Sequence, residues 1–248
     1  EPEEGELACG YEGQGRLADT EKIFKKTCEI LQKQNFLKGK KIIVTAGGTK
    51  EPIDPVRFIG NRSSGKMGFA IADAAYKYGA KVCLITTIEV CKPYETIKID
   101  TAQELLSVLT QKFPESDALI MSAAVADYRV KEICDNKIKK DKNEDEINIQ
   151  LVKNPDILKE ISKIKTSSQL VVGFCAETEN LIENAVSKME NKNLDFIVAN
   201  DVSQKEIGFE SDYNIVTIID RQKSDIQTTS KMLKTEIADL LLKRIFSP

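Results

Sequence analysis

From Lys40 onward the chain alternates short, nearly uninterrupted apolar runs with longer stretches whose apolar positions recur at helical spacing. Lys41–Ala46 reads as a strand of the fully buried type, and Lys81–Thr87, Asp117–Ala124, Leu170–Ala176 and Asp195–Ala199 read as further strands. Between them, Gly65–Tyr78 reads as a helix closed by Gly79 in a C-cap role. A second helix starts at Thr101, where Glu104 completes a capping box. A third opens at Asn154-Pro155-Asp156 with proline near its first position. Glu179–Met189 is the fourth, and Ser230 is expected to cap a final amphipathic helix running to Ile245. Strands alternating with helices of about 10–15 residues imply βαβ units. The expected fold is α/β and Rossmann-like, with a mostly parallel sheet and helices on both faces.

The remaining segments are less periodic. Glu1–Asp19 is rich in Gly and Glu and reads as loop. Thr20–Gln34 can form a short helix with Ile23, Phe24, Thr27, Ile30 and Leu31 on one face, closed by Asn35–Gly39. The charged stretch Lys131–Val152 holds two short alternating runs around Asp141–Asp145, which suits a β-hairpin or a mobile arm. Tyr213–Asp220 and Ser224–Thr229 form another candidate hairpin. Ligands of parallel sheets sit beyond the carboxyl ends of the strands. Function is therefore expected at Gly47-Gly48-Thr49, Ala123–Tyr128, Cys175–Thr178 and Asn200-Asp201.

Composition narrows the chemistry. A chain of 248 residues with 41% apolar and 30% charged residues suits one large α/β domain, or one domain with appendages. A net charge of -3 argues against general nucleic-acid binding, which needs a basic face. The longest apolar runs are far too short to span a bilayer, so no membrane role is expected. The six cysteines form no C-x-x-C pair, and Cys83 and Cys175 lie inside strand-like runs. Reduced thiols and a cytoplasmic location follow as expectations. The absence of histidine removes Ser-His-Asp and Cys-His nucleophilic machinery and every His-ligated zinc site. Glu1 in place of an initiator Met suggests a processed chain or a piece of a longer protein.

The densest chemistry lies between Thr45 and Gly68. Gly47 and Gly48 follow a strand and permit close backbone approach to a phosphate. Asn61, Ser63 and Ser64 stand just before a helix N-terminus, where the dipole favours an anion. Gly60–Lys66 fits G-x-x-x-x-G-K, but Met67 occupies the position whose hydroxyl would bind Mg²⁺. A dinucleotide fingerprint is also absent after the first strand, and Thr86-Thr87 replaces the acidic residue that a nicotinamide site needs.

This segment closely resembles that of the bacterial phosphopantothenate–cysteine ligase family, which carries a nearly identical stretch ending in Asn-x-Ser-Ser-Gly-x-Met-Gly. The resemblance continues through Ala123–Tyr128, Lys137-Ile138-Lys139-Lys140, Val152–Asp156, Gly173–Thr178 and Ala199–Ser203, and covers essentially all of Lys40–Pro248 in the family's order. Residues 40–248 are thus expected to form the ligase domain. Residues 1–39 are expected to be a tail and linker helix: Ala8-Cys9-Gly10-Tyr11 onward resembles the end of the flavin-dependent phosphopantothenoylcysteine decarboxylase, which many bacteria fuse ahead of the ligase. Tyr11 departs from that pattern's usual acidic residue. FMN would belong only to the missing flavin domain, leaving Cys9 idle.

The resemblance implies a reaction in two halves. The carboxylate of 4'-phosphopantothenate attacks the α-phosphate of CTP, giving an acyl-cytidylate and pyrophosphate; cysteine then attacks through its amine and releases CMP. It implies Lys137 as the lysine that promotes the first half and Asn61 as the asparagine tied to the second. It implies nucleotide contacts from Gly47, Gly48, Ser63, Ala123 and Ala124, and from Pro155, Asp156, Ile157 and Leu158. Phe174 is expected at the cytosine, Lys188 and Lys192 at the phosphates, and Asp127 beside CTP, where its carboxylate suits Mg²⁺ held through phosphates. Arg57 is a candidate for the phosphate of the pantothenate substrate. A homodimer is implied, with the Lys131–Val152 arm crossing to the partner. From spacing alone these residues have blander readings: Asp127 as a helix cap, Asn61 as a loop cap, and Lys188 with Lys192 as an ordinary i,i+4 helix face.

Overall fold

The structure is a computed structural model and describes residues 3–6, 11–139, 146–177, 179–201, 211–221 and 225–246. It opens with strands β1 (Glu3–Glu6) and β2 (Glu12–Arg16), then helix α1 (Thr20–Gln34). Strand β3 (Lys41–Ala46) leads to a small hairpin, β4 (Lys50–Pro52) and β5 (Phe58–Gly60), and to helix α2 (Lys66–Lys77). Next come β6 (Lys81–Thr86), β7 (Glu95–Lys98), α3 (Ala102–Lys112) and β8 (Ala118–Met121). Strands β9 (Tyr128–Val130) and β10 (Leu151–Lys153) flank the charged stretch. They are followed by α4 (Ile157–Ile164), β11 (Leu170–Glu177), α5 (Leu181–Asn191) and β12 (Phe196–Asp201). The chain ends with β13 (Tyr213–Asn214), β14 (Val216–Asp220), β15 (Asp225–Thr228), β16 (Met232–Leu233) and α6 (Lys234–Phe246).

One sheet organises these elements, in the order β15-β14-β12-β11-β8-β3-β6-β7. All neighbours from β12 to β7 are parallel, while β14 and β15 join antiparallel at the β12 edge. The parallel part is doubly wound: the chain runs outward from β3 through β6 to β7, then returns to β8 on the other side of β3 and runs outward again. The order of winding therefore reverses between β3 and β8, and a crevice opens there at the carboxyl ends of the strands.

Each face of the sheet has its own core. Residues of α2 and α6, including Met67, Ile71, Ile237 and Leu241, pack with Val44, Leu84, Ile120 and Val198. Residues of α3, α4 and α5, including Leu105, Ile161, Ala185 and Met189, pack with Ile43, Leu119, Val171 and Ile197. Consecutive strand residues serve opposite cores, so β3 is buried along nearly its whole length.

Several local expectations hold. The hydroxyl of Thr101 accepts from the Glu104 N–H at 3.2 Å, and the Glu104 carboxylate accepts from the Thr101 N–H at 3.2 Å. Replacing Thr101 by alanine should therefore cost about 1 kcal/mol, read as a fall in Tm of roughly 2–4 °C.

Other expectations are corrected. The first residues are not all loop, because β1 and β2 pair antiparallel; their Gly/Glu composition offers no alternation to reveal it. Pro155 lies outside its helix: the Asp156 carboxylate is the N-cap, accepting from the Lys159 N–H at 3.3 Å. Ser230 does not cap the last helix. Met232–Leu233 pairs with Tyr213–Asn214 first, and the Leu233 N–H then donates to Glu236 Oε2 at 2.9 Å as α6 begins. The strand expected over Asp117–Ala124 leaves the sheet after Met121. The hairpin reading of the arm holds at its base, where β9 pairs with β10; the alternating runs around Asp141–Asp145 lie outside the described residues, as do Cys9, Lys140, Thr178 and Ser203. No helix among the described residues is long and apolar enough to cross a membrane.

Candidate active site

The crevice is a cavity of about 730 Å³. Its floor is the segment Ser122–Asp127, which leaves β8 and is held by side chains of its neighbours. The Ala123 N–H donates to Thr45 Oγ1 at 3.0 Å and the Ala126 N–H to Thr49 Oγ1 at 2.9 Å. Asn61 Nδ2 donates to the Val125 carbonyl at 3.0 Å, and Asn154 Nδ2 to the Ala126 carbonyl at 2.8 Å. Four polar side chains from three other segments thereby fix one run of backbone along the pocket.

Gly47 and Gly48 act behind this floor rather than on its surface. Gly47 has φ +89°, and a Cβ there would collide with the Thr87 hydroxyl. A Cβ on Gly48 would stand 2.5 Å from the Asn61 carbonyl oxygen. Gly48 thus lets the Asn61 loop close against it, while Gly47 leaves room for Thr87, and neither residue is among those lining the cavity.

One wall comes from β11 and the helices beside it. Phe174 is half-buried on β11 and borders the cavity. Cys175 borders it too, but burial pushes its thiol up to about 11, so it is a neutral thiol and no thiolate nucleophile near pH 7. Glu177, at the end of the strand, binds Lys188 Nζ at 2.5 Å and holds its ammonium in the protonated form, burial opposing. Lys192 lies 3.1 Å from the N-cap carboxylate of Asp156. Pro155, Asp156, Ile157 and Leu158 line the same wall.

The opposite wall comes from α2 and α6. Asn61, Ser63 and Lys66 border the cavity from the loop and first turn of α2, and Lys234 borders it from the first turn of α6. Among the described residues the cavity is lined by six cationic side chains (Arg62, Lys66, Lys153, Lys188, Lys192 and Lys234) against two carboxylates, Asp127 and Asp156. A chain of net charge -3 thus carries a cationic cleft suited to polyphosphate.

Among the described residues no three His, Cys, Asp or Glu side chains gather to hold a metal. Asp127 is exposed at the cleft and electrostatically coupled to Lys188. A single carboxylate fits a Mg²⁺ that keeps most of its ligands from phosphates and water.

Of the residues singled out from sequence, Asn61, Ser63, Ala123, Ala124, Asp127, Pro155–Leu158, Phe174, Lys188 and Lys192 all meet in this cavity. Arg57 and Lys137 do not line it. Arg57 ties down the charged arm: its Nη2 lies 2.5 Å from Asp54 Oδ2 and donates to the Ile138 carbonyl at 2.9 Å. Asp54 is buried and also accepts from the N–H groups of Val56 and Arg57 at 2.8 Å and of Ile138 at 3.1 Å. The Arg57 guanidinium above all, with these backbone donors against the effect of burial, holds its carboxyl well below the usual carboxylate range. Lys137 is exposed on the arm, next to the residue so anchored.

Sequence reasoning passed over Lys66, Lys153, Asn214 and Lys234, which also line the cavity. Lys66 was visible as the lysine of the failed G-x-x-x-x-G-K pattern. Lys234 had no signal beyond helical periodicity.

Fold and site together define a doubly wound α/β domain with a cation-lined cleft at its switch point. The chain belongs to the family described as DNA/pantothenate metabolism flavoprotein C-terminal domain, whose model matches residues 37–247. It is 42% identical over 247 residues to the coenzyme A biosynthesis bifunctional protein CoaBC of Haemophilus influenzae, covering 98% of this chain and 60% of that protein. The chain thus spans about 60% of the length of the curated relatives it matches. The crystal structure of the C-terminal domain of a CoaBC protein superposes with a TM-score of 0.71 at 38% identity, over 86% of this chain and 96% of that one. A Cab2 variant in complex with phosphopantothenate-cysteine shares the fold, with a TM-score of 0.62 at 17% identity over 90% of this chain and 92% of that one.

Proposed function

We propose that this chain forms the amide bond between 4'-phosphopantothenate and L-cysteine at the expense of CTP, through an acyl-cytidylate. The observation that carries the reading is the convergence of Asn61, Asp127, Phe174, Lys188 and Lys192 on one cationic cleft. The CoaBC relatives are named for coenzyme A biosynthesis, and the Cab2 neighbour binds the product such a reaction would give.

Negative charge accumulates on phosphate oxygens in the first half-reaction and on the acyl carbonyl in the second. Oriented cations and amides are the groups that lower both barriers. Lys188 and Lys192 bind the phosphates, each already oriented by a carboxylate. Phe174 packs against the cytosine. Asn61, whose Nδ2 is engaged by Val125, keeps its side-chain oxygen as the acceptor for the incoming amine. Asp127 would hold Mg²⁺, which when bound neutralises phosphate charge. Lys137 serves the α-phosphate from the arm, and Arg57 the phosphate of the acid substrate. The reading includes a homodimer in the cytoplasm and residues 1–39 as the tail of a flavin-dependent decarboxylase domain.

Pyrophosphate release is the test. Release that requires CTP and phosphopantothenate but not cysteine is expected, with CMP and amide appearing once cysteine is added. No release with either CTP or ATP would sink the assignment.

A further inference from the structure

We propose that a groove beside Arg129 binds the α-carboxylate of the amino-acid substrate, cysteine. The proposal deepens the ligase reading and rests on it for the identity of that substrate.

The groove, of about 520 Å³, lies between α3 and the base of the β9–β10 hairpin. Gln103, Leu106 and Ser107 line it from α3, Arg129 from β9, and residues 153–155 from the end of β10 and the turn after it. Residues 153–155 also line the cleft, so the groove and the cleft meet along that one segment.

A carboxylate is held best by a guanidinium that offers two parallel N–H groups from a fixed position. Arg129 is fixed through Nη1, which donates to the Lys153 carbonyl at 2.6 Å and reaches Asn154 Oδ1 at 3.4 Å. Both contacts use Nη1, so among the described residues the edge formed by Nε and Nη2 is left to a ligand. Lys153 adds a second cation, and among the described residues no carboxylate lines the groove. Asp127 lines the cleft instead. Glu104 accepts from the N–H groups of Asp100 and Thr101, and Asp156 caps α4 and pairs with Lys192. A small carboxylate complements such a groove, and Leu106 and Pro155 give it an apolar part for a short thiol side chain.

The position also suits the amine. Asn154 Nδ2 holds the Ala126 carbonyl and Asn61 Nδ2 holds the Val125 carbonyl. The segment shared by groove and cleft therefore meets the floor one residue from the carbonyl that Asn61 holds. In an α-amino acid a single carbon separates the carboxylate from the amine. A carboxylate gripped by Arg129 presents the amine at the edge of the cleft, where the acyl-cytidylate is to be attacked.

Cysteamine is cysteine without its carboxylate, and the ratio of kcat/KM for the two amines tests the proposal. Amide formation by the full chain is measured at one pH with saturating CTP and phosphopantothenate, in the wild type, Arg129→Lys, Arg129→Gln and Gln103→Glu. Both amines draw on the same acyl-cytidylate, so the ratio cancels any loss in the first half-reaction or in the folded fraction. The wild type should favour cysteine by about tenfold or more, the worth of a charge-assisted pair. That preference should fall at least fivefold in Arg129→Gln, and by less in Arg129→Lys, which keeps the charge without the fork. Gln103→Glu leaves the Arg129 contacts alone and puts a carboxylate on an exposed position of the α3 wall. It should lower the preference in the same direction, and it decides the matter if circular dichroism shows Arg129→Gln to be unfolded. A wild type with no preference for cysteine, or a preference that stays within twofold of wild type in every folded variant, overturns the proposal and leaves the ligase reading intact. No amide from either amine in the wild type overturns the ligase reading and this proposal with it.

Discussion

Replacing Lys137 by glutamine should cut pyrophosphate release by roughly 10²–10³-fold, the usual cost of removing one donor aimed at developing charge, while CTP binding changes little. The side chain is exposed, but its backbone is not left to wander. The next residue, Ile138, donates its N–H to Asp54 and accepts from Arg57, and the Cys134 N–H donates to the Ile53 carbonyl at 3.0 Å. The arm therefore carries Lys137 on a pinned segment. Asp54→Asn should move the same half-reaction in the same direction by a smaller factor, about tenfold, because it weakens the Arg57 pairing and the grip on Ile138 without removing the ammonium. The depressed Asp54 carboxyl contributes stability that is fully present above its unfolded pKa of about 3.9 and is lost only as pH falls toward its folded value. Attachment of the arm should consequently be indifferent to pH between about 5 and 9. Single-turnover assays of pyrophosphate release and equilibrium CTP titrations read both effects. An unchanged release rate in Lys137→Gln would remove this lysine from the mechanism.

Asn61→Asp should separate the two half-reactions. In the wild type, Asn61 borders the cleft and its Nδ2 donates to the Val125 carbonyl at 3.0 Å. A carboxylate has no donor for Val125, and it places a negative charge where the acyl carbonyl develops one. Pyrophosphate release should stay within a few-fold of wild type. Amide formation should fall by roughly 10²–10³-fold, so that acyl-cytidylate accumulates and can be trapped by rapid quenching. A fall in overall turnover with no trapped intermediate would show that Asn61 only holds the floor of the cleft.

Much of the framework was legible because the local signals agree with the fold. The strands from Lys41, Lys81 and Leu170 and the capping box at Thr101 lie where apolar pattern and cap chemistry indicate. The misses share a cause. The β1–β2 hairpin, the β4–β5 hairpin and the pairing of Tyr213–Asn214 with Met232–Leu233 are made by backbone hydrogen bonds between short segments with little apolar alternation. Ser230 has the chemistry of a cap, but the chain spends two more residues in that last pairing before α6 begins. The thirteen site residues drawn from resemblance, from Asn61 to Lys192, were legible as types. Gly47 and Gly48 also have a steric role that no motif announces, since a side chain on Gly47 would collide with Thr87 and one on Gly48 with the Asn61 carbonyl.

By itself the sequence of this protein determined the alternation of strands and helices, the α/β class with a mostly parallel sheet, and the family. Those depend on side-chain periodicity and short motifs, which are local. Only the tertiary structure decided that the winding reverses between β3 and β8, and that this reversal brings Asn61, Asp127, Phe174 and Lys188 around one cavity. It also decided that Arg57 pairs with Asp54 and contacts the arm, and that a buried Lys234 joins Lys66 at the far wall. Burial and electrostatic neighbourhood belong to residues distant in the chain, so no window of sequence contains them.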